Sequence, residues 1–281
     1  MRADLHCHSS ASDGTRPPQE VVARASAAGL DAFALTDHDT VAGIPAATAA
    51  LPPGLMLISG MELSCRRNGY SLHLLSYLFD PDQPELAAQC VAIRASRVDR
   101  AKTMVGKLAE LGTGVTWGQV AALAGDGVVG RPHIARAMVD AGVVSSIDEA
   151  FTTDWLGPGG RAHVRRYALD PAEAIRLVHA AGGVAVLAHP FAVTRGWMVP
   201  DDLIAELSQT GLDGIEVDHP DHDEEQRGAL RSLARRLGLA ATGGSDDHGE
   251  LTGDRIGCDT TGQDDLDALL ERASGAAVIT R

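Results

Sequence analysis

The chain has 281 residues, 44% hydrophobic and 22% charged, values of an ordinary globular protein rather than a disordered one. That length fits one barrel-sized domain or two smaller ones, and the formal charge of −14 argues against broad electrostatic binding to duplex DNA or RNA, which needs Lys and Arg against phosphates. No apolar run reaches a membrane span, a candidate ligand already stands at position 6, and Cys7, Cys65, Cys90 and Cys258 form no Cys-x-x-Cys pair; the expectation is a cytoplasmic protein without signal peptide, zinc ribbon or disulfide framework.

In chain order, the first strand carries His6-Cys7-His8. Alternate side chains of a strand share a face, so the two imidazoles project together, about 7 Å apart along the strand and close enough to grip one ion. The run Ser9-Ser10-Ala11-Ser12-Asp13-Gly14 then forms a polar loop that lets Asp13 fold back toward them. Pro17 and Pro18 open a helix to about Ala28, and the apolar run Ala32 to Thr36 is a buried parallel strand ending in Asp37-His38-Asp39. A helix from Val41 to about Ala50 follows, then a strand from Leu55 to Ser59 whose end carries Glu62, and a strand from Tyr70 to Phe79 that contains His73.

From about Glu85 the texture is helical. Three helices follow the first long one, begun by Thr116-Trp117-Gly118-Gln119, by Gly130-Arg131-Pro132-His133 and by Ser146-Ile147-Asp148-Glu149. We read 84–160 as a helical insertion, with 1–83 and 161–281 forming a strand-helix domain beneath it. Alternation resumes with a helix capped by Asp170, a buried strand Val184 to Ala188 that delivers His189-Pro190, and a helix from Asp201 to Gln209. Strand Gly214 to Val217 ends in Asp218-His219-Pro220, a helix runs from Asp223 to Leu237, and strand Leu239 to Thr242 empties into Ser245-Asp246-Asp247-His248. A helix from Asp264 to Ala273 and a strand from Ala277 to Thr280 finish the chain.

Most of these polar groups stand at or just beyond the carboxyl ends of predicted parallel strands: His6, His8, His38, Glu62, His189, Asp246 and His248. In an α/β barrel those ends gather at one rim, where active sites are built. Unrelated structural histidines would have no reason to keep that register.

The same residues, with Asp13-Gly14, Thr36-Asp37-His38-Asp39 and His73, resemble the motif set of the polymerase and histidinol phosphatase (PHP) superfamily of metal-dependent phosphoesterases, over residues 6 to 248. The resemblance implies a distorted (β/α)7 TIM-like barrel carrying two or three divalent ions, Zn, Fe or Mn. It places His6, His8, Glu62 and Asp246 on the first, Asp13, His38 and His248 on the second, and His73 and His189 with Glu62 on the third. Asp13 stands where some relatives have histidine. The insertion and the Gly214-Ile215-Glu216-Val217 segment resemble a branch acting on small nucleotides, which includes 3',5'-nucleotide bisphosphate phosphatases and a 5'-3' exoribonuclease.

The implied reaction is attack of a metal-bridging hydroxide on a phosphomonoester of a small nucleotide, such as a nucleoside 3',5'-bisphosphate. Arg131, a planar fork matched to phosphate, and His133 are the expected substrate contacts, and His219 the expected general acid. Asp37 and Asp39 fit either support of ligands or a capping or surface role, and Asp247 either support or a loop role, while His163 and His222 have no motif behind them. The alternatives are exoribonuclease action on short RNA and histidinol phosphate hydrolysis. An amidohydrolase is weaker, since the two lysines, Lys102 and Lys107, both fall in the insertion. No membrane, duplex DNA or protein partner is expected.

Overall fold

The computed structural model describes residues 1–125, 129–164, 167–192 and 198–281. They divide into two compact units, Met1–Cys90 with Ala168–Arg281, and Val91–Tyr167. The first unit is built on seven strands among the described residues: β1 (Ala3–Cys7), β2 (Ala32–Leu35), β3 (Met56–Arg67), β4 (Tyr70–Tyr77), β5 (Val184–Leu187), β6 (Gly214–Asp218) and β7 (Ala240–Gly243), neighbours in that order. The β1/β2, β2/β3, β5/β6 and β6/β7 pairs are parallel, whereas β4 runs antiparallel to both its neighbours. Past the ends of β7 and β1, Asp246 N–H donates to His6 O (2.8 Å) and His8 N–H to Asp247 O (3.0 Å), which joins the last strand to the first.

Helices α1 (Pro18–Ala27) and α2 (Ile44–Ala50) follow β1 and β2. Helix α3 (Pro84–Glu110) begins in the first unit and continues into the second, which also holds α4 (Trp117–Ala124), α5 (Arg131–Asp140) and α6 (Ile147–Ala150). Back in the first unit are α7 (Pro171–Ala180), α8 (Asp201–Gln209), α9 (Glu224–Leu237) and α10 (Gln263–Arg272). Short-range chemistry sets several starts: Thr116 and Asp223 make capping boxes with Gln119 and Gln226, and the Asp170 carboxylate accepts Ala172 N–H.

Every residue of β1, β2 and β5 is buried, as expected for strands covered on both faces. Alternate residues enter different clusters. Ala3, Leu5, Ala32 and Ala34 pack with Tyr77, Val186 and Ala240, while Phe33 and Leu35 pack with Val21, Val22 and Ala25 of α1. The buried Tyr77 hydroxyl donates to Leu5 O at 2.8 Å. The second unit has its own core, centred on Met104, Leu108, Ile134 and Met138.

The expected α/β barrel is present, with local differences. Glu62 is not at a strand end: β3 pairs in parallel with β2 over 56–59, then continues as an antiparallel arm against β4 over 60–67. The polar Ser59-Gly60 step looks like a terminus, but Gly60 is there for space, since a Cβ would come within 2.9 Å of Thr36 Cγ2 and 3.1 Å of Tyr77 Cδ1. Helix α2 starts at Ile44 rather than Val41. The expected final strand is reduced to one antiparallel bridge, Leu57 with Ile279, made by two 2.9 Å bonds.

Asp4, inside the apolar run of β1, is fully buried and accepts three backbone N–H groups: His6 (3.2 Å) and Ser245 (2.9 Å) at Oδ1, Gly257 (2.8 Å) at Oδ2. Asp4→Ala strands these buried donors, so urea unfolding should show a loss of about 3 kcal/mol. An unchanged midpoint and slope would contradict the role given to this carboxylate.

Candidate metal centre

The barrel brings all nine expected ligands to one mouth. His6 lies on β1 and His8 one residue past it, with their Nε2 atoms 3.1 Å apart. Asp13 returns on the loop that follows. His38, His189, Asp246 and His248 lie two to five residues beyond β2, β5 and β7. The β3/β4 register, Ser64 opposite His73 and Glu62 opposite Leu75, sets Glu62 and His73 diagonally on one face.

Glu62, 1% exposed, is the hub. Its Oε1 lies 2.5 Å from His73 Nδ1 and 3.0 Å from His189 Nε2; its Oε2 lies 3.1 Å from His38 Nδ1, 3.2 Å from His8 Nε2 and 3.4 Å from His6 Nε2. Asp246 Oδ1 is 3.2 Å from both His6 Nε2 and His8 Nε2. Among the described residues, donor atoms within 4.8 Å of one another form four groups: three around this hub and Asp13 (His6, His8, Glu62 and Asp246; His8, Asp13, His38 and His248; and His38, Glu62 and His73), and a fourth of His6, Glu216 and His219.

These groups fit divalent ions. Donors bound at about 2.1 Å to one ion stand roughly 3.0–3.4 Å apart, the spacing found around His6, His8, Glu62 and Asp246. Two nitrogens facing each other at 3.1 Å need something positive between them. His8 Nδ1 and Asp13 Oδ1 are buried with no hydrogen-bond partner among the described residues, although Asp13 Oδ1 lies 3.4 Å from His248 Nε2.

Charge in the metal-free protein follows from the same crowding. Burial would lower the His8 pKa, but hydrogen bonds to Asp246 and Glu62 override it and raise the value to about 10. Burial would raise Glu62, but His38, His73 and His6 hold it well below the usual carboxylate range. Asp13 and Asp246 are likewise held well below that range by neighbouring histidines, led by His38 and His6 respectively, against the opposing effect of burial.

Other carboxylates hold the loops that carry these groups. Asp37 accepts Ser9 N–H (2.8 Å), Ser9 Oγ–H (2.7 Å) and Ser12 Oγ–H (2.7 Å), fixing the loop that brings Asp13 round. Asp39 accepts Ser64 N–H (2.7 Å) and Oγ–H (2.8 Å), next to Glu62 on the strand arm. Asp247 accepts Gly249 N–H and Arg255 N–H, both at 2.9 Å. All three are buried, so Asp37 and Asp39 are not surface residues. Asp39, His189 and Asp246 have φ of +56°, +30° and +48°, a conformation costly for non-glycine residues that persists only where its surroundings hold it.

His219 is fully buried. Asp221 N–H donates to its Nδ1 (3.0 Å), so the neutral ring carries hydrogen on Nε2, which faces Asp246 Oδ2 at 3.4 Å. His222, which had no motif to mark it, donates from Nδ1 to Val217 O (2.9 Å) and accepts Phe191 N–H at Nε2 (3.2 Å), just past His189. The residues that sequence reasoning did not assign to the site, Asp4, Glu216 and His222, include two with a usable signal: a carboxylate inside an otherwise apolar buried strand. Arg131 and His133 lie in the second unit, in the first turn of α5. There Gly130 N–H donates to His133 Nδ1 (3.0 Å), and the Arg131 guanidinium lies 5.2 Å from the centre of the Phe151 ring.

Comparison with known proteins settles the family. A family model described as the PHP domain matches residues 4–92. A 5'-3' exoribonuclease of Haemophilus influenzae is 40% identical over 87% of this chain and 89% of its own length. The chain belongs to the PHP family. A 3',5'-nucleoside bisphosphate phosphatase of Chromobacterium violaceum is 35% identical over 90% of this chain and 89% of its own. A Bifidobacterium adolescentis structure classed as a metal-dependent phosphoesterase superposes with a TM-score of 0.88 at 34% identity, covering 97% of this chain and 96% of that one. This PHP protein is a metal-dependent phosphoesterase, a hydrolase of phosphate esters that binds divalent metal. Among its described residues no helix is long and apolar enough to cross a membrane.

The His8 proton stabilises the metal-free fold fully below the ordinary histidine pKa of about 6.5, and that contribution is lost as pH rises through about 10. An ion bound at His8 must expel that proton. Calorimetric titration with Mn2+ should therefore show affinity rising and protons released between about pH 6 and about pH 9; a flat profile without proton release would contradict the ligation of His8.

Proposed function

We propose that the chain hydrolyses a phosphomonoester of a small nucleotide, a nucleoside 3',5'-bisphosphate first among the candidates, with two or three Zn, Fe or Mn ions held at the barrel mouth. The observation that carries this reading is the single buried Glu62 carboxylate in contact with five histidines, flanked by three overlapping donor groups. Bound there, divalent ions lower the pKa of water and neutralise phosphoryl oxygens.

The residues divide the work. His6, His8, Glu62 and Asp246 would hold one ion, and Asp13, His38 and His248 a second. His73 and His189 would share Glu62 for a third. Glu62 can serve two of these sites because its two oxygens reach different sets of rings. The committed Nε2–H and complete burial of His219 suit it to orient Asp246 better than to meet a leaving oxygen.

Substrate charge is the other half. Segment 91–167 contains ten Lys and Arg against seven Asp and Glu, in a chain whose totals are 24 and 38. That segment is therefore net basic within an acidic protein, which favours it as the source of phosphate contacts. Arg131 offers a fork matched to two phosphate oxygens, and His133 is its neighbour on the helix start. The identity to the Haemophilus exoribonuclease supports a second reading, stepwise 5'-3' hydrolysis of short RNA.

Metal-loaded protein assayed on a nucleoside 3',5'-bisphosphate, histidinol phosphate and a 5'-phosphorylated RNA oligomer separates these readings. Phosphate release from the bisphosphate should dominate; mononucleotides released from the RNA at a higher kcat/KM would favour the second reading, and turnover of histidinol phosphate alone would overturn both. Arg131→Ala should raise KM by about 10-fold to 100-fold, the weight of a charge-assisted bond; an unchanged KM removes it from the substrate site. Glu62→Gln and His6→Ala should lose bound metal and activity together, measured by elemental analysis and phosphate release, and full activity in either would remove that residue from the centre.

A further inference from the structure

The Gly214-Ile215-Glu216-Val217 strand contains a carboxyl group outside the nine expected ligands, grouped with His6 and His219. Glu216 lies on β6 among apolar neighbours and is 1% exposed, yet both its oxygens are engaged. Oε1 lies 2.9 Å from His6 Nδ1, and Oε2 accepts the backbone N–H of His189 at 2.8 Å. The packing is close enough to demand glycine beside it: a Cβ on Gly244 would fall 2.4 Å from His6 Cβ and 3.0 Å from Glu216 Oε1.

We infer that Glu216 is a positioning residue of the centre, fixing the tautomer of His6 from behind and the backbone bend that delivers His189. This rests on the reading of His6 and His189 as metal ligands. With Oε2 accepting the His189 N–H, a Glu216 that acts as acceptor at both oxygens requires the hydrogen on the His6 nitrogen it faces. The neutral ring then has its lone pair on Nε2, the atom directed at His8 Nε2 (3.1 Å), Asp246 Oδ1 (3.2 Å) and Glu62 Oε2 (3.4 Å). The second oxygen acts on another element: His189 has φ +30°, and its N–H is held by Glu216 while His222 holds Phe191 N–H two residues on. One side chain thus sets ring orientation on β1 and chain direction after β5. A carboxylate behind a ligating imidazole also makes the ring a better donor.

Glutamine cannot replace both functions. It has one acceptor oxygen, so its NH2 must face either the His189 N–H, donor against donor, or His6 Nδ1. The latter moves the ring hydrogen to Nε2, where it blocks ligation.

The test is Mn2+ affinity, measured by chelator competition on metal-stripped full-length wild type and Glu216→Gln, with the thermal midpoint of each stripped protein as the folding control. A folded E216Q should bind about 10-fold to 100-fold more weakly. In parallel, nitrogen-15 histidine spectra of the Zn2+-loaded wild type should show a proton attached to His6 Nδ1 and none on Nε2. Affinity within twofold of wild type in a folded E216Q, or a His6 Nδ1 without its proton, overturns the inference; if the variant does not fold, the wild-type spectrum decides alone. Wild type that takes up no metal instead removes the ligand reading on which this one stands.

Discussion

The structure depends on one buried carboxylate shared by five imidazoles. Glu62 is reached by His6 and His8 from the first strand, His38 from the second, His73 from the fourth and His189 from the fifth. Removing three carboxylates from water costs several kcal/mol apiece unless positive charge meets them. In the metal-free protein that charge is protons on the rings, which is why His8 is pushed up to about 10 while Glu62, Asp13 and Asp246 are pushed down. In the metal-loaded protein proposed above, divalent ions would replace those protons on the same atoms. Folding and chemistry thus impose one requirement on one set of side chains.

Around this centre a second set of carboxylates does a different job. Asp4, Asp37, Asp39 and Asp247 accept backbone N–H groups and hydroxyls where strands pass into loops. Loop backbone buried at a barrel rim has donors that no sheet ladder satisfies, and short acidic side chains are the available acceptors. Their effect is preorganisation: the candidate ligands sit on segments already tied down, two of them with left-handed backbone, in the metal-free protein.

Much of this was legible in the amino-acid sequence because polar residues interrupt apolar runs at the carboxyl ends of buried strands. His6-Cys7-His8, His38, His189 and Asp246 follow that rule, and their spacing around the chain predicts a barrel rim. Glu62 breaks it. Its strand changes partner at Gly60 from parallel to antiparallel, a switch made by long-range pairing with β4 that local pattern does not encode. The end of the chain fails for a related reason: residues near Ile279 have strand-like composition but a single bridge to pair with. Asp37 and Asp39 were visible as flanks of His38, but their partners, Ser9, Ser12 and Ser64, lie about 25 residues or more away along the chain and only folding reveals them. His219 was visible too, but its contact with Asp246, 27 residues away, was not.

That Glu62 holds divalent ions is tested most directly by anomalous diffraction. Crystals grown with Mn2+ or Zn2+, measured on both sides of the metal absorption edge, should show anomalous peaks about 2.0–2.2 Å from Glu62 oxygens and from the facing nitrogens of His6 and His8. Peaks found only elsewhere, or none at these atoms in metal-saturated crystals, would contradict it.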